Sequence, residues 1–169
     1  MGLSSGRLGA GRRRRRSAVA VKQSLRELRN QLSLLHHQVG GHLGLKDVDL
    51  DCLELLARHG PLGPTALARR AGVHPATLTG ILDRLERHGW VVRERTPGAA
   101  DRRAIAVRAV PGRTTELFRL YSGMSAALDE ICAGYTEAEL ELLAGFLRRT
   151  AAAGRDATEE LAALRGRGG

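Results

Sequence analysis

Apolar residues recur in the first part of the chain with the spacing of one long helix. The spacings alternate between four and three residues along a single helical face: Val21, Leu25, Leu28, Leu32, Leu35 and Val39. Gly40 and Gly41 are predicted to end this helix. An apolar face of this length must be buried against something, and a partner subunit is a natural place for it.

The middle of the chain predicts short helices followed by a β-hairpin. Three helices lie between glycine and proline signals, over residues 49–59, 64–71 and 75–88. Two strands are predicted over residues 90–95 and 105–109, because their apolar and β-branched residues follow strand patterns. The segment between the strands is rich in turn residues, so the two strands should form a hairpin.

Two further helices are predicted at the end of the chain. The first spans residues 113–133 and carries a second apolar stripe: Leu117, Tyr121, Met124, Leu128 and Ile131. The next begins with a capping box formed by Thr136 and Glu139 and extends to about Leu164. The two apolar stripes, on residues 21–39 and 117–131, together predict an obligate homodimer.

The charge of the chain indicates a polyanionic partner. Lys and Arg number 27 against 18 Asp and Glu, which leaves a formal net charge of +9. Nucleic acid and an anionic membrane both fit this balance. No apolar stretch is long enough to span a membrane. The run Arg12–Arg16 is not followed by the apolar region of a secretory signal peptide. We therefore expect a cytoplasmic protein that does not bind membranes, with residues 1–16 forming a disordered basic arm that is either solvated or in contact with DNA backbone.

The segment from Leu67 to Leu82 has the pattern of a helix-turn-helix. Ala68 is small where the second helix would cross the first, and Gly72 suits a left-handed turn because it has no Cβ. Apolar residues at 73, 78 and 81 would hold the two helices together. A helical hairpin in a simple bundle is the alternative interpretation.

The second helix of this motif presents small and polar residues away from its apolar face. They are Ala76, Thr79, Gly80, Asp83, Arg84 and Arg87, and Thr77 lies at the edge of this group. Threonine hydroxyls can donate to or accept from base edges, and the side-chain methyl can contact thymine, so this face fits a major groove. We therefore expect this helix to be the recognition helix.

Arginines are concentrated in the predicted hairpin. They are Arg93, Arg95, Arg102, Arg103 and Arg108. An arginine at the tip of the hairpin can enter a minor groove, where the negative potential is enhanced. A charged hairpin is also a common way to protect a sheet edge from aggregation. Its place directly after a helix-turn-helix favours a DNA-binding wing.

These motifs together resemble the MarR family of bacterial regulators. The resemblance is carried by 60–62 (GPL), 67–73 (LARRAGV), 76–79 (ATLT), 82–91 (LDRLERHGWV) and 101–104 (DRRA). It implies a homodimer with intertwined terminal helices on a pseudopalindromic operator. It also implies that Thr77 and Thr79 lie in the major groove, that Arg103 reaches the minor groove and is oriented by Asp101, and that Arg84 holds the recognition helix or a phosphate. The full predicted DNA-binding set is Ala76, Thr77, Thr79, Gly80, Arg84, Arg95, Asp101, Arg102 and Arg103.

Three positions depart from the usual pattern of the family. Gly80 stands where many members have a larger polar residue, which removes one base contact. His74 replaces a serine-like cap, and the sequence 110–112 (VPG) replaces a threonine-containing bend. The first of these departures leaves the operator preference open.

The predicted fold is mainly α-helical with a small β-hairpin wing, a winged helix-turn-helix core flanked by long N- and C-terminal dimerisation helices. Its predicted parts are a basic arm (1–16), an N-terminal dimerisation helix (17–46), a DNA-binding domain (47–112) and C-terminal dimerisation helices (113–165). The predicted function is a regulator, most simply a repressor, that binds double-stranded DNA and is released by a small aromatic effector. The candidate effector contacts are Leu32, His36, Cys52, Leu56, Tyr121 and Met124.

The alternatives are a constitutive architectural DNA-binding protein and a metal- or redox-sensing regulator. His36, His37 and His42 lie close in sequence to Cys52, but their spacing fits no defined metal motif. Both cysteines, Cys52 and Cys132, are expected to be buried apolar residues. No nucleophile elbow, phosphate loop or catalytic carboxylate pair is recognisable, so we expect neither enzymatic activity nor a cofactor.

Overall fold

The computed structural model describes the backbone of residues 4–95 and 105–166, and the side chains of residues 9–95 and 105–164. The described elements are, in order, α1 (Ser4–Leu43), α2 (Asp47–His59), α3 (Pro64–Ala71), α4 (Pro75–Arg87), β1 (Val91–Arg95), β2 (Ile105–Ala109), α5 (Pro111–Leu120), α6 (Ser122–Ala133) and α7 (Glu137–Gly166). The chain divides into two compact units between Leu120 and Tyr121. The predicted fold class, mainly helical with one small hairpin, is confirmed.

The core of the first unit lies between α2, α3, α4 and the hairpin. Its largest fully buried apolar side chains are Leu50, Leu53, Leu67, Leu78, Leu82, Leu85, Val91 and Val107. Burying each such side chain contributes about 1.5–3 kcal/mol, so this aliphatic cluster is what holds α4 in place. Trp90 is also buried, at the start of the hairpin.

The turn between α3 and α4 has the geometry that the sequence predicts. Gly72 adopts a left-handed conformation with φ of 66°, and the amide of Val73 donates to the carbonyl of Ala68 at 3.0 Å. Ala68 itself is buried. At the start of α4, Nδ1 of His74 accepts a hydrogen bond from the amide of Ala76 at 3.3 Å, so this histidine acts as the N-cap. Pro75 then begins the helix at a position where no amide hydrogen is needed.

The hairpin is antiparallel and is fastened to the rest of the unit by a third segment. Its register runs from Val91 opposite Ala109 to Arg95 opposite Ile105. Leu62, in the connection between α2 and α3, forms an isolated bridge with Val107 through hydrogen bonds of 3.1 and 2.8 Å. The sequence does not indicate this bridge, since Leu62 lies between Gly and Pro residues. It anchors β2 to the core independently of β1.

Helix α1 is longer than predicted at both ends. It begins at Ser4, whereas composition predicts a disordered arm over residues 1–16, and it continues through Gly40 and Gly41 to Leu43. Arginine and alanine are good helix formers, and extending an existing helix costs little. At the other end, a Cβ on Gly40 would lie 2.8 Å from the carbonyl oxygen of Leu45. Gly40 therefore permits a close approach of the chain rather than ending the helix.

The helix predicted over residues 113–133 is divided in two. Helix α5 begins at Pro111, and Tyr121 separates it from α6. Ser122 and Gly123 follow directly, and both have lower helix propensity than alanine, which explains the interruption. The predicted capping box at the start of α7 is confirmed, because the amide of Thr136 donates to Glu139 at 2.9 Å and the amide of Glu139 donates to Thr136 Oγ1 at 3.4 Å.

Several large apolar side chains remain exposed on the long helices of the single chain. On α1 they include Val21, Leu28 and Leu32, and in the second unit they include Leu128, Ile131, Leu142, Leu143 and Leu147. Those on α1 and α6 belong to the two stripes from which the sequence predicts a dimer, and the three leucines of α7 add to this exposed apolar surface. Within the described residues, no helix combines the length and apolar character that are needed to cross a membrane.

Candidate nucleic-acid interface

Helix α4 is divided into a buried apolar face and an exposed polar one. Leu78, Ile81, Leu82 and Leu85 are buried, whereas Ala76, Thr77, Thr79, Gly80 and Asp83 are exposed. The hydroxyl of Thr79 donates to the carbonyl of Pro75 at 3.2 Å. Its proton is therefore used within the helix, and the oxygen stays available to accept from a base. The hydroxyl of Thr77 has no hydrogen-bond partner among the described residues.

Gly80 lies in the centre of this exposed face. A Cβ placed there would have no neighbouring atom within 4 Å among the described residues. The backbone is also ordinary helix, without a positive φ. Neither steric crowding nor backbone conformation in the described fold therefore requires glycine at this position.

Arg84 connects α4 to the beginning of α2. Its Nε donates to Asp49 Oδ2 at 3.0 Å, and a terminal amino group donates to Asp49 Oδ1 at 2.5 Å. Asp49 is fully buried and accepts a further hydrogen bond from the amide of Lys46 at 3.0 Å. The hydrogen bond that Arg84 donates to the Asp49 carboxylate raises the pKa of Arg84 above its ordinary value. Of the two roles predicted for Arg84, this geometry supports holding the recognition helix; contact with a phosphate stays a prediction.

The described arginines of the hairpin differ in what they contact. Arg93 forms ion pairs with Asp83 and Glu86 of α4, at 2.5 and 3.1 Å. Arg108 pairs across the hairpin with Glu94, and this hydrogen bond lowers the pKa of the Glu94 carboxyl.

Four other arginines near α3 and α4 are exposed and have no acidic partner within the described part of the chain: Arg69, Arg70, Arg87 and Arg95. Among these is Arg95, which is predicted to bind DNA. The predicted contacts Asp101, Arg102 and Arg103 lie outside the described residues.

The base of the hairpin is tied to α5 by a cation–π contact. The guanidinium carbon of Arg113 lies 4.6 Å from the centre of the Trp90 ring. The same side chain donates to the carbonyl of His88 at 3.4 Å and pairs with Glu116 at 2.8 Å. Sequence reasoning missed Arg113, since no local pattern connects it to Trp90. It links the end of α4, the start of the hairpin and the start of α5.

The six candidate effector contacts lie in different surroundings. In the first unit, Cys52 and Leu56 are buried in the core and Leu32 is exposed on α1. His36 Nε2 lies 3.3 Å from Asp51 Oδ1 and 3.2 Å from the carbonyl of Asp47. Tyr121 and Met124 belong to the second unit and are half-buried.

The cysteines and histidines are the candidate residues for redox or metal sensing. Cys52 is buried, and burial raises the pKa of its thiol to about 11. Cys132 is exposed in the single chain, contrary to the expectation that both cysteines are buried. Among the described residues, no group of three or more His, Cys, Asp or Glu side chains is arranged to hold a metal ion.

Comparison with known proteins decides the family. A model of the MarR family matches residues 45–105. YcgE, an HTH-type transcriptional regulator from Bacillus subtilis (strain 168), is 31% identical over 129 residues, which cover 76% of this chain and 82% of the relative. The chain belongs to the MarR family.

The chain is also similar to a second curated regulator and to solved structures. YetL of Bacillus subtilis (strain 168), an HTH-type transcriptional repressor, is 29% identical over 116 residues, or 68% of each chain. The structure of a MarR family protein from Bacillus stearothermophilus matches with a TM-score of 0.64 at 17% identity, covering 83% of this chain and 97% of that one. A MarR family regulator from Silicibacter pomeroyi matches with a TM-score of 0.57 at 25% identity, covering 73% and 82%.

Family membership gives the broad function. The chain is a MarR-family transcriptional regulator, and DNA binding is implied by the family. MarR family regulators are dimeric, and the relatives and the fold are those of regulators rather than enzymes. The resemblance identified from the sequence motifs is therefore confirmed.

Proposed function

We propose that this chain is a homodimeric repressor that reads a pseudopalindromic operator. Helix α4 would lie in the major groove, and the hairpin would reach the neighbouring minor groove. The observation that carries the proposal is the exposed polar face of α4, which follows the left-handed turn at Gly72 and stands next to the hairpin. An α-helix fits the major groove, where base edges differ for every base pair.

Specific and non-specific contacts divide between two groups of residues. Thr77 and Thr79, with the small residues Ala76 and Gly80, form the surface that would face the bases. The exposed arginines that have no acidic partner among the described residues, Arg95 among them, have the charge to bind phosphates. The predicted roles of Arg103 in the minor groove and of Asp101 in orienting it complete the proposed interface.

Support for a dimer comes from the apolar stripes left open on the long helices. Exposed apolar surface of this kind usually marks an interaction site. A second copy of the chain would cover the stripes on α1 and α6. A repressor role is supported by the similarity to YetL, which is a repressor. Such a regulator would work in the cytoplasm, where bacterial DNA is accessible.

Release from DNA by a small aromatic effector stays a prediction. A ligand changes operator affinity only if it binds the DNA-competent and the released arrangements unequally. The candidate contacts are the six residues named from the sequence, of which His36 and Tyr121 carry the polar groups that would orient an aromatic acid. Substituting either should change effector potency without changing DNA affinity in its absence.

Selection from random duplex DNA, followed by footprinting, tests the proposed function. We expect one enriched pseudopalindrome, with half-sites about 10 base pairs apart.

Thr79→Ala should reduce discrimination at one base pair of each half-site by about 1–3 kcal/mol. As its matched comparison, Arg103→Ala should weaken all sites more evenly and flatten the salt dependence by about one unit. Failure of the parent protein to enrich any sequence would contradict the proposal.

An architectural DNA-binding role is the second candidate. The observation that favours it is the run Arg12–Arg16, which is exposed and helical and therefore surrounds α1 with positive charge. A helix places successive residues about 100° apart, so five arginines cover every side. Uniform protection of long DNA in the footprint, in place of one discrete site, would favour this second role.

A further inference from the structure

Two carboxylates lie on the helix that is proposed to enter the major groove. Asp83 follows Thr79 by four residues and Gly80 by three, so it shares their exposed face. Glu86 lies one turn further along α4. Their side chains keep 47% and 41% of their surface exposed. Both carboxylates are therefore accessible on or beside the surface that would face DNA.

Negative charge at this position opposes DNA binding. Duplex DNA carries one negative charge for about every 1.7 Å of its axis. Placing like charges against each other across an interface weakens association. A recognition helix with two uncompensated carboxylates would repel the operator that its threonines are meant to read.

A single arginine from the hairpin faces both carboxylates. Arg93, in the centre of β1, places one terminal nitrogen 2.5 Å from Asp83 Oδ1 and the other 3.1 Å from Glu86 Oε2. Its own side chain is only 29% exposed. The planar guanidinium group has two donors spaced to engage two acceptors at once, a geometry that lysine lacks.

We propose that Arg93 is a positioning residue for DNA recognition rather than a phosphate contact. It offsets the charge of Asp83 and Glu86, and it joins β1 to α4 so that the wing and the recognition helix approach DNA as one body. This inference rests on the proposed function, because it requires α4 to face DNA. It gives one arginine of the hairpin an intramolecular role.

Rescue by charge removal separates the two roles of Arg93. If Arg93 compensates for the carboxylates, Arg93→Ala weakens binding because Asp83 and Glu86 are released, and removing their charge should restore it. If Arg93 binds phosphate, removing the carboxylates leaves the lost contact unrepaired. The probe is the operator that the parent protein enriches from random duplex DNA.

The experiment compares dissociation constants at one salt concentration. Arg93→Ala should weaken operator binding about tenfold or more, because the two carboxylates then face the like charge of DNA without compensation. A tenfold change corresponds to about 1.4 kcal/mol. Adding Asp83→Asn and Glu86→Gln to it should return the affinity to within about threefold of the parent. Arg93→Lys should bind more tightly than Arg93→Ala but less tightly than the parent, because it keeps the charge but not the two-point contact.

A matched control excludes a simple effect of net charge. Glu159→Gln with Glu160→Gln, added to Arg93→Ala, makes the same charge change on exposed residues of α7. Equal rescue of operator binding by this control would overturn the inference. So would a triple variant, with Arg93→Ala, Asp83→Asn and Glu86→Gln together, that binds the operator as weakly as Arg93→Ala alone. Circular dichroism checks that each variant is folded. A parent protein that enriches no sequence overturns the proposed function and this inference together, whereas parent binding without specific rescue overturns this inference alone.

Discussion

Gly80 is a residue whose identity the described fold does not explain. In the middle of a helix, glycine is less favourable than alanine by about 0.5–1 kcal/mol, and here no described atom would touch an added Cβ. The open space lies on the face proposed to meet DNA. A close approach between α4 and the base edges would account for glycine at this position.

Replacing Gly80 by alanine should therefore change the stability of the fold and the affinity for the operator in opposite directions. We expect Gly80→Ala to stabilise the fold by about 0.5–1 kcal/mol and to weaken operator binding or change the base preferred beside Thr79. Thermal unfolding and repeated selection from random DNA measure the two effects. Gly154→Ala is the matched control, since Gly154 is also within a helix and also has nothing within 4 Å. Unchanged affinity and base preference in Gly80→Ala would contradict the close approach.

The two cysteines should differ strongly in reactivity. Cys52 is fully buried with its thiol pKa raised to about 11, so at pH 8 only about one thiol in a thousand is the reactive thiolate. Cys132 is exposed. We expect a thiol reagent to label one cysteine per native chain rapidly, and Cys132→Ser to remove that rapid phase. Rapid labelling of Cys52 would contradict this expectation and would favour redox sensing by its thiol. Slow labelling of both cysteines would mean that a partner subunit covers Cys132.

At the scale of elements, the contact between α2 and α4 includes one buried ion pair beside the aliphatic core. Asp49 is the only buried charged residue in the described part of the chain, and it accepts both from Arg84 and from the backbone at the start of α2. Removing one partner of such a pair leaves the other without compensation. The pair therefore determines how firmly the recognition helix is held, independently of the aliphatic core.

Loss of either partner should destabilise the protein. We expect Asp49→Ala and Arg84→Ala each to lower the free energy of unfolding by about 3 kcal/mol, measured by urea denaturation. Asp49→Asn should cost less than Asp49→Ala, because an amide oxygen can still accept from the Lys46 amide. Arg87→Ala, on the same helix but without an acidic partner among the described residues, is the control. Equal stability of Arg84→Ala and Arg87→Ala would show that the pair contributes nothing.

At the scale of the whole molecule, the long helices should bring two chains together. Ile131, on α6, is 57% exposed in the single chain, although it belongs to the apolar stripe of that helix. We expect the parent protein to be a dimer at micromolar concentration, and Ile131→Glu to shift it towards monomer. Sedimentation equilibrium measures the change, with Glu130→Gln as the control on the neighbouring residue. A soluble monomeric parent protein would contradict the proposed dimer.

The sequence by itself determines the recognition motif, because the signals for it are local. Gly72, Pro75 and the periodicity of apolar residues specify a turn and a helix through the chain's own backbone preferences. The hairpin follows from alternation and turn residues in the same way. Those signals sufficed to identify the family and to separate the buried from the exposed face of α4.

Longer-range choices were decided by the tertiary structure. The sequence shows that an arginine carries a positive charge, but its role depends on which carboxylate or aromatic ring lies next to it in the folded protein. Arg84 forms its ion pair with Asp49, which lies 35 positions earlier in the chain. Arg113, in α5, contacts the ring of Trp90 at the start of the hairpin. The same holds for Gly40, which looks like a helix end but allows the carbonyl of Leu45 to approach. Such pairings depend on how separate elements pack, and packing has no signature in a local pattern of residues.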